Sequence, residues 1–275
     1  IVSGPATLDT AGQQLGVTTS LSGSGNLTIA GGGRFLLSSA NPNFSGTATV
    51  DTGRLVIGAS GALGTGNIVM TGSVVEYANG VTNSAPITIA SNMNELNVAS
   101  GSTATQSGAI GQNTAGLPLA ITGGGTLVLT GTNTYTGATS IAAGTTLQIG
   151  AGGAAGSIAA TSAVTNDGVL ALNRSDTVTF ANTIGGTGAL RQDGSGTAIL
   201  TGTNTYTGTT TIAAGRTLQI GAGGTTGSIA AESAITNNGV LALNWSDTVT
   251  FANTIRGTGA LRQDGSGTAI LTGAN

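Results

Sequence analysis

The sequence predicts an all-β protein, a right-handed parallel β-helix or β-solenoid in which short strands stack coil upon coil. Three observations favour this fold: a long internal repeat, apolar residues that alternate with period two, and an unusual composition. Of the 275 residues 49 are Gly, while 6% are charged and 3% aromatic. Gly and Asn suit tight corners, and small or β-branched side chains fill a narrow interior well.

A long internal repeat runs through the second half of the chain. The segment Thr126–Gly137 returns as Thr197–Gly208, at an offset of 71 positions (197 minus 126). We divide this part of the chain into copies 126–196 and 197–267, which differ at 12 aligned positions, and the start of a further copy, 268–275. Repeats of this kind stack side by side and share one core.

A diverged repeat, 22–122, precedes these copies. Gly31–Leu37 in it parallels Gly123–Leu129, at an offset of 92 positions (123 minus 31). This offset exceeds the repeat period by 21 positions (92 minus 71), close to the length of one solenoid coil, so we expect a whole added coil here. We interpret residues 1–275 as one continuous β-solenoid segment of a longer chain.

Within a copy, apolar residues alternate over short runs, as where Leu147 and Ile149 flank Gln148. Period two predicts strands with one buried side. About nine strands fit into one copy, which gives three three-sided coils of roughly 24 residues; we place the strands near positions 128, 141, 148, 158, 164, 171, 179, 190 and 199. The alternative is a β-sandwich or a string of hairpins, which Asp193–Gly196 between two strand-like runs favours.

The residue inventory excludes several functions. The chain has no Cys and no His, and all seven of its basic residues are Arg. Zinc, haem and iron–sulfur centres therefore lack their usual ligands, and we expect no metal site and no cofactor. A Ser-His-Asp triad, a Cys nucleophile and a P-loop lysine are absent as well. The net charge of −3 argues against nucleic acid as a partner.

Paired carboxylates are the remaining route to catalysis, since a glycosidase needs two of them about 5–9 Å apart. Asp167 and Asp176 could lie on neighbouring coils, but Asp167 becomes Asn238 in the next copy. Turn chemistry accounts for Asp193 and Asp264, each of which precedes a Gly. We therefore expect no catalytic residue, and a polysaccharide-active β-helix enzyme remains the less favoured alternative.

Two polar loops are candidate surface contacts, because they recur at fixed spacing and carry a Tyr, a residue type that anchors interfaces. They contain Asn133 and Tyr135 in one copy and Asn204 and Tyr206 in the next. The favoured alternative is that the two tyrosines fold inward as corner plugs and that the two asparagines form an internal amide ladder.

Trp245 is a further candidate contact, since it replaces Arg174 of the preceding copy and we therefore expect it on the surface.

Two Arg–Asp pairs are expected on the surface. Arg191 and Asp193, and likewise Arg262 and Asp264, are two residues apart and so point to the same side of a strand. We predict solvent-exposed ion pairs, which contribute little to stability.

Residues 186–212, followed by Gly215 and the run 217–221, resemble the autotransporter-associated β-strand repeat of bacterial type V secreted proteins. The resemblance covers 123–275 strongly and 22–70 more loosely, and residues 71–122 depart from it. Arg191 and Arg262 occupy the place where this family usually carries a basic residue. The resemblance implies an extracellular location at a Gram-negative outer-membrane surface, with a membrane β-barrel elsewhere in the parent chain.

These observations together predict a non-catalytic extracellular segment, a rigid stalk or adhesive surface that acts in adhesion or cell–cell aggregation. Expected partners are the protein itself, through lateral or end-to-end association, and a host or neighbouring-cell surface. Weak contacts repeated in each copy would add up through effective concentration. A structural protein whose chains stack end to end into filaments is the principal alternative.

Overall fold

The computed structural model describes residues 1–275 and contains 31 β-strands and no helix, so no helix is available to cross a membrane. The strands pair in parallel, which confirms the predicted all-β parallel solenoid. Numbered β1 to β31 in chain order, the strands are Ala6–Asp9, Gln14–Val17, Leu27–Ala30, Arg34–Leu37, Ala48–Val50, Arg54–Ile57, Ile68–Met70, Val74–Tyr77, Thr82–Asn83, Ile87–Ile89, Asn94–Val98, Thr103–Gln106, Ile110–Gln112, Leu119–Thr122, Thr126–Leu129, Thr139–Ile141, Thr146–Ile149, Val164–Asn166, Val169–Leu172, Val178–Phe180, Ile184–Gly185, Ala189–Gln192, Thr197–Leu200, Thr210–Ile212, Thr217–Ile220, Ile235–Asn237, Val240–Leu243, Thr248–Phe251, Ile255–Arg256, Ala260–Gln263 and Thr268–Leu271.

Each coil has three sides, which we call face 1, face 2 and face 3 in the order in which the chain visits them. Face 3 is one continuous sheet from β9 to β29. Faces 1 and 2 are each interrupted once. The strands are distributed as follows: face 1 carries β1, β3, β5, β7, β10, β13, then β20, β23, β25, β27 and β30; face 2 carries β2, β4, β6, β8, β11, β14, β16, β18, β21, then β28 and β31; face 3 carries β9, β12, β15, β17, β19, β22, β24, β26 and β29.

The two interruptions occur at equivalent segments of the two repeat copies, which lie on different faces. On face 1 the isolated bridge between Thr132 and Ser157 stands in for a strand pair, and on face 2 the bridge between Thr203 and Ser228 does so, one repeat period later. The strand expected near 158 is therefore wrong: only Ser157 pairs there, because Gly-rich turns on its N-terminal side leave no room for an extended run. The other eight expected strands are present.

Coil length varies along the rod. Ile68 pairs with Ile87, an offset of 19 (87 minus 68), whereas Thr139 pairs with Val164, an offset of 25 (164 minus 139). The chain completes about 13 coils, which at ~4.8 Å per coil makes a rod about 60 Å long.

The repeat copy spans three coils and one additional face. Leu127, Leu147, Leu170 and Leu190 are paired in turn along face 3, so three coils advance the chain by 63 positions (190 minus 127). The equivalent of Leu127 in the next copy, Ala198, lies eight positions further on, on face 1. The prediction of about three coils per repeat is confirmed, but the coils are on average shorter than expected. Each new copy therefore begins one face further round the rod.

The diverged repeat obeys the same rule with one coil more. Arg34 on face 2 is followed along that face by Arg54, Val74, Glu95 and Ala120, and its equivalent, the first residue of β15, lies on face 3. The copies thus advance by four coils and one face here, which confirms the whole added coil. The equivalent strands β4, β15, β23 and β31 lie on faces 2, 3, 1 and 2.

One core runs through the rod. A single hydrophobic cluster of 50 buried residues extends from Leu27 to Phe251. Within most strands buried and outward residues alternate, as in β11, where three buried residues flank two half-buried ones. Parallel ladders supply the backbone hydrogen bonds along the axis, so the fold needs few charged pairs.

Candidate functional site

The repeated tyrosines lie in the core. Tyr135 and Tyr206 are both 0% exposed, so the interpretation of these residues as surface contacts is wrong and the favoured alternative, inward corner plugs, is confirmed. Each ring fills the space where one face lacks a regular strand. The side chains that point outward from the same segments are threonines, among them Thr132 and Thr203.

Each tyrosine begins the same chain of hydroxyl groups. The Tyr135 hydroxyl lies 2.8 Å from that of Thr139, which lies 3.1 Å from that of Ser162; Ser162 donates to the carbonyl of Gly137 at 2.6 Å. In the next copy Tyr206 begins an equivalent chain, with distances of 2.7, 3.1 and 2.7 Å through Thr210 and Ser233 to Gly208. Burial raises the pKa of both tyrosines to about 12, against a smaller lowering by these hydrogen bonds. The phenols are therefore neutral at any physiological pH.

The diverged repeat carries an apolar version of this plug. Phe44 is fully buried, and Ala48 four residues later takes the place of the threonine. Because neither side chain has a hydroxyl, no polar chain is needed. The aromatic ring is thus the common element, and the hydroxyl chain accompanies Tyr.

Asn133 and Asn204 are buried beside the plugs and do not form the expected amide ladder. Asn133 accepts from the backbone N–H of Ile110 at 2.8 Å and donates to the carbonyl of Ser157 at 2.7 Å. Asn204 likewise accepts from Ile184 at 3.0 Å and donates to Ser228 at 2.9 Å. Each amide joins two backbones of adjacent coils instead of another Asn, because the two asparagines lie on different faces. They are also not surface contacts.

Trp245 is buried as well, at 2% exposure, so its prediction as an exposed contact is wrong. The indole N–H donates to the carbonyl of Gly227 at 2.9 Å, and the ring packs against Phe251 with centroids 6.0 Å apart. In the preceding copy Arg174 donates through Nη1 to the carbonyl of Gly156. The two residues therefore perform one task, since each is a long planar side chain that presents an N–H to the same corner.

The corner that these side chains reach requires glycine. Gly156 and Gly227 have φ of 99° and 98°, and a Cβ at either would lie 2.3 or 2.6 Å from the backbone oxygen of Leu129 or Leu200. Their carbonyls are turned out of the ladder. Arg174 or Trp245 supplies the missing donor.

The predicted surface ion pairs are confirmed. Arg191 and Asp193 are 2.7 Å apart, and Arg262 and Asp264 are 2.6 Å apart. A third pair, Arg174 with Asp176 at 2.7 Å, was not anticipated although it has the same two-residue spacing.

A further charged cluster lies on face 2 of the early coils. Glu76 bridges Arg34 at 2.6 Å and Arg54 at 2.7 Å. Burial alone raises the pKa of the Glu76 carboxyl, but the hydrogen bonds and positive charges of the two arginines outweigh it and hold this pKa below its usual range. The signal that sequence reasoning missed is the strand register, which brings equivalent positions of successive coils together.

The carboxylates considered for catalysis are all engaged in the fold. Asp167 accepts from the N–H and the hydroxyl of Thr187 at 3.0 and 3.1 Å. Asp167 and Asp176 belong to one coil, at different corners, and not to neighbouring coils as suspected. No group of three acidic side chains lies close enough to hold a metal ion.

This arrangement defines a class: a parallel β-solenoid repeat segment whose repeated motifs serve packing, with the outward side chains free to vary. The model of the passenger-associated-transport-repeat family matches residues 21–57, 122–149, 190–220 and 261–275. These four segments are therefore similar to the passenger repeat of autotransporters, which supports the resemblance drawn from the sequence.

One relative among known proteins is an "Adhesin BmaC autotransporter" of Brucella suis biovar 1 (strain 1330). It is 47% identical over 85 residues, which make up 30% of this chain and 2% of the relative. The chain thus spans only a small part of that protein's length. No solved structure matches the chain.

Proposed function

We propose that this chain is a non-catalytic segment of a surface-exposed passenger domain, which acts as a rigid stalk and adhesive surface in adhesion or cell–cell aggregation. Autotransporter passenger domains are secreted to the cell surface, which supports an extracellular location. The observation that carries the proposal is the continuous core: 50 buried residues in one cluster join successive coils into one support for the outward side chains.

The rotation of the copies favours aggregation over attachment to one flat surface. Thr132 and Thr203 are equivalent and lie outside the core, yet they belong to faces 1 and 2. Equivalent side chains of successive copies therefore point in different directions. Repeated weak contacts can add up on one flat surface only if they all face it, and these do not. They suit several partner molecules arranged around one rod, including other copies of this chain. Low charge helps, because little electrostatic repulsion opposes lateral approach.

The proposal is tested by displaying the chain on a bacterium that does not aggregate by itself. We expect faster settling of the cells and binding to a host-cell layer, compared with cells that display an unrelated protein of equal length. Absence of both effects would contradict the adhesive function. Electron microscopy of the purified chain is a second readout: long uniform fibres would favour the filament alternative over adhesion.

A further inference from the structure

An elongated groove runs along face 2. Its volume is about 580 Å³, and its lining comes from six successive coils between Gly32 and Ser140. This volume falls within the range of ordinary ligand sites, and at ~4.8 Å per coil the groove is about 24 Å long. An elongated groove suits a chain-like ligand.

The groove contains a markedly exposed hydrophobic side chain. Met93 is 78% exposed. The other exposed large hydrophobic residues lie in the coils at the two ends of the rod: Ile1, Leu15, Leu261, Ile270 and Leu271. Met93 thus provides one exposed apolar side chain inside a concave and otherwise polar lining, where a ligand can pack against it.

The groove also holds a buried hydroxyl with no partner. Ser73 is 2% exposed, lines the groove, and its Oγ forms no hydrogen bond. Unpaired buried polar groups are rare in folded proteins and call for an explanation. The loop that carries Met93 packs over this point, since a Cβ at Gly72 would lie 3.2 Å from Ser91 Oγ. A small movement of this loop would let a ligand in the groove supply the missing partner.

The charges in the groove are balanced. Arg54 is already paired with Glu76 at 2.7 Å. Glu95 accepts hydrogen bonds from Thr122 and, at 3.0 Å, from Asn97. The lining thus offers the second carboxylate oxygen of Glu95 as an acceptor and the exposed side-chain amide of Asn92 as donor and acceptor. The buried Asn94 amide, by contrast, already binds the N–H of Gly72 and the carbonyl of Ser91.

Ten of the fourteen residues that line the groove come from the part of the chain that the family model does not match. That stretch is 58–121, between the matches at 21–57 and 122–149. It supplies Gly72–Val74, Asn92–Glu95 and Pro118–Ala120. The unmatched coils therefore supply most of the groove, and the matched segments supply its two ends.

The chemistry of the lining selects the ligand. A peptide strand would need free backbone groups, but those of face 2 are used in the ladder from β2 to β21. A polyanion would need unpaired arginines, and Arg54 is paired. Hydroxyl groups can instead both donate to Glu95 and accept from the side-chain amide of Asn92, while C–H surfaces pack on Met93. We propose that this groove binds a neutral oligosaccharide, a proposal that rests on the adhesive function and names its ligand class.

The test is affinity electrophoresis of the purified 275-residue chain, which migrates as an anion because its net charge is −3. Native gels contain dextran, mannan or galactomannan as neutral polysaccharides, or alginate as an anionic one. We expect retardation by at least one neutral polysaccharide. Ala120→Arg, which places a long side chain in the groove, abolishes it, and Met93→Ala weakens binding about tenfold. Ala189→Arg, an equally half-buried alanine in a strand of face 3, leaves it unchanged.

Three results would overturn the groove proposal: no retardation by any neutral polysaccharide, retardation by alginate alone, or equal retardation of the Ala120→Arg chain. Thermal melting shows whether each variant is folded. If Ala120→Arg does not fold, Met93→Ala still tests the groove, because the exposed Met93 side chain is not part of the core. The same variants displayed on cells separate the two proposals. Aggregation without any glycan binding contradicts the groove only, whereas glycan binding without adhesion or aggregation contradicts the proposed function only.

Discussion

The copies 126–196 and 197–267 are nearly the same sequence placed on different faces of one rod. Their aromatic plugs are equivalent: the hydroxyl chain that starts at Tyr135 recurs at Tyr206 with distances that agree within 0.1 Å. They differ at 12 aligned positions, and the most drastic change, Arg174 to Trp245, preserves one N–H directed at one carbonyl.

The comparison shows that the packing of a repeat copy depends on its glycine corner and its aromatic plug, and not on the face of the rod where the copy begins. A three-sided coil presents almost the same environment to each side. A copy can therefore move by one face and keep the contacts of its plug and its glycine corner. The outward residues carry no such constraint.

The largest effect is expected on removing a plug. Tyr135→Ala and Tyr206→Ala each leave a cavity and a severed hydroxyl chain, so each lowers the free energy of unfolding by about 3–5 kcal/mol. Denaturant unfolding of the two variants measures this. Costs that differ by more than about 1 kcal/mol would break the equivalence of the copies. Tyr135→Phe is the matched control, since it keeps the ring.

Alkaline pH should act on both copies together. Tyr has a pKa of about 10 in an unfolded chain, whereas burial raises the pKa of Tyr135 and Tyr206 to about 12. Because the folded pKa is the higher, stability is complete below about pH 10 and is lost as pH rises from there towards 12. Phenolate absorbance should appear with unfolding; absorbance that rises at pH 10 in the native chain would contradict the burial.

The buried amides are expected to rank next. Asn133→Ala and Asn204→Ala each remove two hydrogen bonds between coils and leave a buried N–H and C=O unpaired, at a cost of about 2–3 kcal/mol. Amide hydrogen exchange at Ile110 and Ile184 should accelerate in the respective variant. Unchanged exchange at these sites would show that water replaces the amide.

Exchanging the corner residues sharpens the comparison further. Trp245→Phe removes the N–H donor and should cost about 1 kcal/mol or somewhat more, because the carbonyl of Gly227 loses its partner. Arg174→Trp should be tolerated, since it copies the arrangement of the next repeat and fills the small cavity of about 60 Å³ beside Phe180. Thermal unfolding measures both; a strongly destabilised Arg174→Trp chain would argue that the two corners are not interchangeable.

The smallest effect is expected on the surface. Asp264→Asn breaks the exposed pair with Arg262 and should leave the melting temperature unchanged at moderate salt, because such pairs are screened. A clear loss of stability that salt does not remove would show that the pair does more than lie on the surface. Asp193→Asn is the equivalent variant in the other copy.

Sequence reasoning succeeded where the period of the pattern carries the information. Alternation around Gln148 predicts strands, and the long repeat predicts shared coils. The sequence does not predict the face on which a copy lies. The face depends on whether each corner is a tight turn or a longer loop, and the two differ by only a few residues per coil. The added coil was accessible, since the excess of the older offset over the repeat period is close to one full coil.

The wrong prediction of an exposed Trp245 has a specific cause. An Arg-to-Trp exchange between copies suggests an unconstrained surface position, but both side chains donate to a buried corner that only the turned-out carbonyl of Gly227 or Gly156 reveals. Asn182 and Asn253 are a second omission: they donate to carbonyls of the preceding coil at 2.6–2.9 Å in both copies. Their recurrence at the repeat period was the available signal.

The additional one third of a coil in each copy couples copy number to orientation. Deleting or duplicating one repeat unit, as recombination between such similar stretches allows, would leave the packing intact and turn everything downstream by about a third of a revolution. Only the gain or loss of three repeat units, which together span ten coils or about 48 Å, returns the downstream residues to their original faces of the rod. The number of repeats in such a rod therefore determines the rotation of the downstream coils about the rod axis as well as the length of the rod.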